Sequence, residues 1–202
     1  LLSLTGSAFF LGLNTFLAEL PLLLFTLIGG VIADRHDRRH LLMGSQAVQM
    51  VCALTLTAIV FFDVTRVSHI LTLSFIAGLA QAFGGPAFQS LIPSLVPRQH
   101  LPNAVALNSI QFNLAQAVGP AIGGVVLVAL GMAACFGLNG LSFLVVIIVL
   151  WRMRVPPPAP TTRQRILTEL QGGLQYVRDS GVLPALTVLA FATTSLALPL
   201  RA

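Results

Sequence analysis

The chain has 202 residues, 56% hydrophobic and only 8% charged, with a mean hydropathy of +0.91. Soluble domains carry roughly a quarter charged residues, so water is excluded as the solvent for most of this chain and lipid takes its place. The net charge of +5 comes from eleven cations, all arginine, placed in the connections between apolar runs; with no continuous basic stripe, nucleic acid is excluded as a partner.

Leu1 to Ser7 reads as the tail of a connection, with a turn at Thr5-Gly6-Ser7. The first residues are already apolar, with no basic n-region and no initiator Met, so no cleavable signal peptide is read. The chain is expected to be a fragment that starts inside or just before a membrane segment. The first full span is read over Ala8 to Ala33, long enough to cross a bilayer with some tilt. Pro21 is placed to kink it, and Glu19 lies near its middle.

The densest charge cluster follows, in Gly29-Gly30-Val31-Ile32-Ala33-Asp34-Arg35-His36-Asp37-Arg38-Arg39. A connection this short between runs this apolar reads as a tight turn between two membrane helices, on the side that keeps cations. Arginines suit the C-terminal end of the first span, and Asp37 is placed to cap the start of the second.

The second span is read over Leu41 to Phe62, followed by a polar turn through His69, and the third over Ile70 to Leu91. Gly84-Gly85-Pro86 is expected to break the third late, and Pro93 and Pro97 to end it. After Arg98 to Pro102, a fourth span covers Asn103 to Leu130 and a fifth Ala133 to Trp151, where Trp151 and Arg152 mark an interface. Cys52 and Cys135 both fall inside apolar runs and read as packing residues, without a disulfide framework.

The texture then changes. Val155-Pro156-Pro157-Pro158-Ala159-Pro160 is a stiff spacer. Ile166, Leu170, Leu174 and Val177 recur at helical spacing, which predicts an amphipathic surface helix over Ile166 to Ser180. A last span starts near Val182 and runs to Ala202. The fold class is therefore all-α integral membrane: a transmembrane part over 1–154, a linker over 155–181 and the start of a further part over 182–202.

Orientation follows from the arginines. The first, third and fifth connections hold nine of them (Arg35, Arg38, Arg39, Arg98, Arg152, Arg154, Arg163, Arg165 and Arg178), the second holds Arg66 and the fourth none. By the positive-inside rule the charged loop is expected to be cytoplasmic.

Gly30 to Arg39 resembles the signature loop of the major facilitator superfamily, G-x-L-A-D-R-x-G-R-R/K, with Ile32 for Leu and Asp37 for the second Gly. Gly119-Pro120-Ala121-Ile122-Gly123-Gly124 is similar to the G-P-x-x-G-G motif of the fifth helix of exporters, and Gly78 to Ser109 is similar to the enterobactin-exporter-like and macrolide-efflux-like branch, of the transmembrane secretion effector type. The resemblance implies helices two to six of about twelve, the central linker and the start of helix seven. It implies that helix one and most of the C-terminal half are missing, and that the whole works by alternating access in a bacterial cytoplasmic membrane. It also implies secondary active, proton-coupled efflux of small molecules such as drugs or siderophores, with no cofactor and no catalysis. Many proton-coupled members carry an Arg in the fourth helix, whereas Ile70 to Leu91 holds no charged residue.

Within the loop, Gly29 and Gly30 read as places where helices approach closely. Asp34 is an anion at a helix end that disfavours anions, so it requires a partner elsewhere. The resemblance makes Gly30, Asp34, Arg35, Asp37, Arg38 and Arg39 a cytoplasmic gate that the other half latches. Glu19 is the sharpest single residue. A carboxylate at the bilayer centre costs about 2.5–3.5 kcal/mol on insertion scales, so it is expected to face the bundle interior, as a proton or cationic-substrate site or in a hydrogen bond to a neighbouring helix. Ser109, Asn113, Gln116 and Pro120 share one helical face, and Asn113 and Gln116 are expected to line a cavity, with Gln81, Gln46, Gln49 and Asn139 as further polar partners. Gly119 and Gly123 form a G-x-x-x-G pair read as close packing, and with Pro120 and Gly124 they make the exporter-type motif. The four histidines lie in or beside loops without metal spacing, and no P-loop is present. The alternative to a pump is an integral-membrane protein that does not transport, such as a receptor or structural half-module.

Overall fold

A computed structural model of the chain describes residues 6–153, all within the unit Leu1–Thr161. The expected spacer, amphipathic helix and last span, with Arg154, Arg163, Arg165 and Arg178, lie outside the described residues. The described part is helical, with no strand. Helix α1 covers Ala8–Arg35, α2 Arg38–Phe61, α3 Val67–Leu95 and α4 Leu101–Arg152, with a short 3-10 turn at Arg98–His100 before α4.

Helix α4 is two helical arms, 101–130 and 132–152, joined at Gly131, whose φ of 84° is a region closed to most side chains. The Sγ of Cys135 lies 3.8 Å from the carbonyl of Gly123. Twelve residues of straight helix span about 18 Å, so the arms fold back as a hairpin. All of these helices are long and apolar enough to cross a membrane, and each arm of α4 meets the roughly 20 residues that a crossing requires.

The termini follow local chemistry. Ser7 accepts from the N–H of Phe9 and starts α1. Asp37 accepts from the N–H of Arg39 at 2.9 Å and of His40 at 3.3 Å and starts α2. Helix α3 departs from the expected break: it runs through Gly84-Gly85-Pro86 and Pro93 and ends only at Leu95. A proline inside a helix removes one hydrogen bond and strains the turn before it without having to end the helix.

Helix α3 is the hub. Its buried residues are Gly78, Ala80, Ala82, Gly84, Ala87 and Leu91, nearly all small. Helix α1 packs along it in parallel, with Ser74 donating to Asn14 at one end and Ala33 meeting Ala87 in an apolar cluster at the other. A side chain at Gly78 would collide with the carbonyl of Ala18, and one at Gly29 with the carbonyl of Ala82. Helix α2 packs on another face of α3, where Ser45 donates to the carbonyl of Ala80 at 2.7 Å and sits against Gly84. The second arm of α4 packs on α2 through Gly137 against Thr57 and Gly140 against Leu54. The first arm is exposed along nearly its whole length.

Two glycine expectations change here. A side chain at Gly30 would meet open space, and so would one at Gly119, Gly123 or Gly124. Close packing among the described residues falls to Gly29, Gly78, Gly84 and Gly140, because these are the glycines turned toward a neighbouring helix. Gly78→Val is expected to force α1 off α3 and cost about 1–3 kcal/mol, the usual range for overpacking, whereas Gly123→Ala should be nearly neutral. Thermal unfolding of the purified protein in detergent checks both.

Candidate functional site

Two regions carry polar chemistry: the charged end of the bundle and a cavity beside α3. At the charged end the C-terminus of α1, the N-terminus of α2 and the C-terminal turns of α3 and α4 meet. Ala33, Leu42, Ala87, Leu91 and Leu150 form its buried apolar floor. Above that floor, Arg38 donates to the carbonyl of Ser90 in α3 at 3.1 Å and pairs with Asp34 at 3.4 Å. Arg39 donates to the carbonyl of Trp151 in the last turn of α4. Both arginines therefore tie the α1–α2 connection to carbonyls late in two other helices, where cations suit the helix dipole.

Asp34 pairs with Arg38 of its own loop and stays 63% exposed. Its pairing with Arg38 spans one helical turn, and an exposed pair of this kind is worth only about 0.3–0.5 kcal/mol. It is thus loosely held. Asp63 and Arg66 lie at the far end of α2 from this loop.

Asp37 is held more firmly. Burial pushes its carboxyl pKa up, but hydrogen bonds from the His40 side chain, at 2.8 Å, and from the His40 and Arg39 backbone outweigh burial and leave it below the ordinary value of 3.8. A carboxyl depressed in the folded state stabilises it while ionised. That contribution is full above 3.8 and is lost as pH falls through the lowered value.

The second region is a cavity of about 800 Å³ between α2, α3 and both arms of α4, within the usual range for small-molecule sites. Gln81, Gly85, Phe88, Gln89, Ile92 and Leu95 line it from α3, where they recur at helical spacing. Asn108, Ser109, Gln111, Phe112 and Asn113 line it from the first arm of α4, and Val145, Val146, Val149 and Met153 from the second. Gln46 lines it from α2. It therefore extends from mid-length of α3 to the charged end of the bundle.

The cavity gathers Gln81, Asn113, Ser109 and Gln46 from among the expected polar residues. Gln49 lies beside it, donating to Gln81 at 3.2 Å and to Ser45 at 3.2 Å. Gln116 and Asn139 are exposed and do not line it, which corrects the expectation for Gln116. Glu19 is also absent from its lining: it is exposed on α1 and bonds to no other described residue. Its position on the helix is set by the packing of Gly29 and Pro21, which turns Glu19 outward. Pro120 is exposed with its glycine neighbours. Gln89, Asn108 and Gln111 were not singled out from the sequence. Their signal was there, as amides within apolar runs at helical spacing from Gln81 and Asn113.

A bundle of lipid-length helices with a cationic end and an amide-lined cavity defines a polytopic membrane protein. The family model described as transmembrane secretion effector matches residues 2–200, and the chain belongs to that family, in the efflux branch of the major facilitator superfamily. It is 24% identical to macrolide efflux protein A of Streptococcus pyogenes over 98% of this chain and 50% of that protein. It is 25% identical to the enterobactin exporter EntS of Citrobacter koseri over 93% of this chain and 42% of that protein. The chain thus spans half or less of the length of these relatives.

Asp37→Ala is expected to lose the cap and about 0.5–2 kcal/mol of stability at neutral pH. Denaturant titrations in detergent should show the same gap at pH 7 and pH 5, closing only below 3.8.

Proposed function

We propose that this chain forms part of a secondary active exporter that carries small molecules out through a bacterial cytoplasmic membrane by alternating access. One observation supports this above the rest: a cavity of about 800 Å³, set among membrane-length helices, with amides on one wall and Val145, Val146 and Val149 on the other. Amides in lipid are costly unless water, a ligand or a neighbour uses them, and a carrier site uses them. The printed names of the relatives, macrolide efflux and enterobactin export, agree with a small-molecule cargo.

The charged loop is the cytoplasmic gate in this reading. Arg38 and Arg39 anchor it to α3 and α4, while the weakly held Asp34 remains available to a second half of the transporter. The arginine bias of the connections supports a cytoplasmic loop in this reading.

Glu19 is the proton site in this reading. It is the carboxylate near the middle of a described span, whereas Asp34 lies at the end of the same helix, and a charge near the bilayer centre costs about 2.5–3.5 kcal/mol unless a proton or a cation compensates it.

Two measurements on the full-length protein in everted membrane vesicles test these roles. Gln81→Ala with Asn113→Ala should lower the apparent affinity for an exported substrate about tenfold, the loss of roughly one ligand hydrogen bond; unchanged affinity removes the cavity from the transport path. Glu19→Gln should abolish transport driven by a pH gradient and leave substrate binding in place. Transport that survives this change removes Glu19 from coupling.

A further inference from the structure

The seam between α2 and the second arm of α4 ends in a cationic corner. Leu54 sits against Gly140, Thr57 against Gly137, and Arg39 donates to the carbonyl of Trp151. The two helices therefore run antiparallel, with Arg39 and Trp151 level at the charged end. Below that level both turn apolar side chains outward: Val51 and Leu54 from α2, Leu144 and Ile148 from α4, all between 40% and 59% exposed. Trp151 follows Leu144 and Ile148 at helical spacing and is 68% exposed. Arg152 is exposed beside it, and His40 is exposed at the start of the α2 face that carries Val51. Helix α2 opens with Arg38, Arg39 and His40 and has no acid in its first turn, although a helix N-terminus is its positive pole. Arg38 is taken up by Ser90 and Asp34. Asp37 spends its oxygens on the amides of Arg39 and His40 and on the His40 ring. Arg39 gives one nitrogen to Trp151, while its Nε is buried and finds no acceptor among the described residues.

We propose that this corner binds an anionic phospholipid of the surrounding membrane, with the lipid phosphate between Arg39 and Arg152, Trp151 at the glycerol level, and an acyl chain laid along the seam over Leu54 and Leu144. A phosphate placed there meets the positive pole of α2 and two guanidinium groups, whose forked donors fit its oxygens. A basic side chain at a membrane surface favours an anionic lipid by about fivefold. Tryptophan settles at this depth, with an apolar body and a polar edge. The exposed apolar seam runs directly below the cations, so headgroup and chain of the same molecule find their matching surfaces, which a soluble phosphate does not. A lipid held here braces the Arg39–Trp151 tie from outside the bundle.

The test uses the full-length protein in phosphatidylcholine vesicles that carry a minor fraction of phosphatidylglycerol brominated close to its headgroup, or the same fraction of phosphatidylcholine brominated alike. Bromine quenches tryptophan on contact, and subtracting the emission of Trp151→Phe isolates Trp151. Phosphatidylglycerol should associate with Trp151 at least about fivefold more strongly than phosphatidylcholine. Arg39→Gln with Arg152→Gln should abolish that preference. Arg152→Gln alone, whose side chain breaks no bond among the described residues, should lower it at least about twofold and covers the case in which the loss of Arg39 disturbs the fold. Equal quenching by the two lipids would overturn the proposal. A preference unchanged in either variant would assign it to the cationic end at large and overturn this corner as its source. Quenching by neither lipid would show that protein covers the seam, and would overturn the site itself. The brominated lipid is present in both leaflets and no transport is required, so the result is independent of the export reading and of orientation.

Discussion

Close backbone approach along α3 is the constraint on which the rest of the bundle depends. Lipid tails are as apolar as leucine, so burial of greasy surface does not drive helices together in a membrane; dense packing and interhelical hydrogen bonds do. Helix α3 supplies both. Gly78 admits the carbonyl of Ala18, and Gly29 admits that of Ala82. Pro86 cannot donate to Ala82, so that carbonyl loses its partner within the helix and faces the glycine of α1 instead. On the α2 side, Ser45 reaches the carbonyl of Ala80 over Gly84. Replacing any of these small residues by a large one moves a whole helix.

The same helix joins the two polar regions. Its small face holds α1 and α2, and its remaining face carries Gln81, Phe88, Gln89 and Ile92 into the cavity. Ser90, next to Gln89, receives Arg38 of the charged loop. A movement that pulled Asp34 and Arg38 away would therefore release a carbonyl adjacent to the cavity wall. In the proposed exporter this gives gate and cavity a short mechanical route, built from one hydrogen bond and one turn of helix.

Some of this was legible in the sequence because its physics is local. Asp37 before an apolar run is a cap whatever surrounds it, and the observed bonds to Arg39 and His40 need only the chain's own geometry. The hairpin at Gly131 was legible because a glycine between two apolar runs of crossing length leaves little else. What depends on the azimuth of a helix was not. Gly29 and Gly30 are neighbours in sequence, yet only Gly29 faces α3. Gly119 and Gly123 carry a packing pattern and meet nothing among the described residues, while Gly78, in no such pair, meets Ala18. Asn113 lines the cavity and Gln116, one turn on, does not. Spacing puts residues on a common face; only the neighbouring helices decide where that face points. The break expected at Gly84-Gly85-Pro86 failed for a different reason. A single proline removes one hydrogen bond of a long ladder, and the packing of Ala80, Ala82 and Ala87 on both neighbours holds the ladder together across it.

The exposed surfaces are not equivalent, and their difference bears on mechanism. The first arm of α4 exposes Val125, Val128 and Leu130, and lipid meets such side chains at no cost. Glu19 is exposed on a face of α1 flanked by Phe16, Leu23 and Leu24. Lipid alone cannot solvate its carboxylate, and no described residue bonds to it. Gly119 and Gly123 can therefore stay open indefinitely, whereas Glu19 needs a proton, a cation, water or a polar neighbour each time it lies in the membrane. A group with that requirement, on a helix whose end carries the proposed gate, changes its energetics whenever its surroundings change. This is the physical reason for proposing that coupling sits at Glu19 and recognition in the amide-lined cavity.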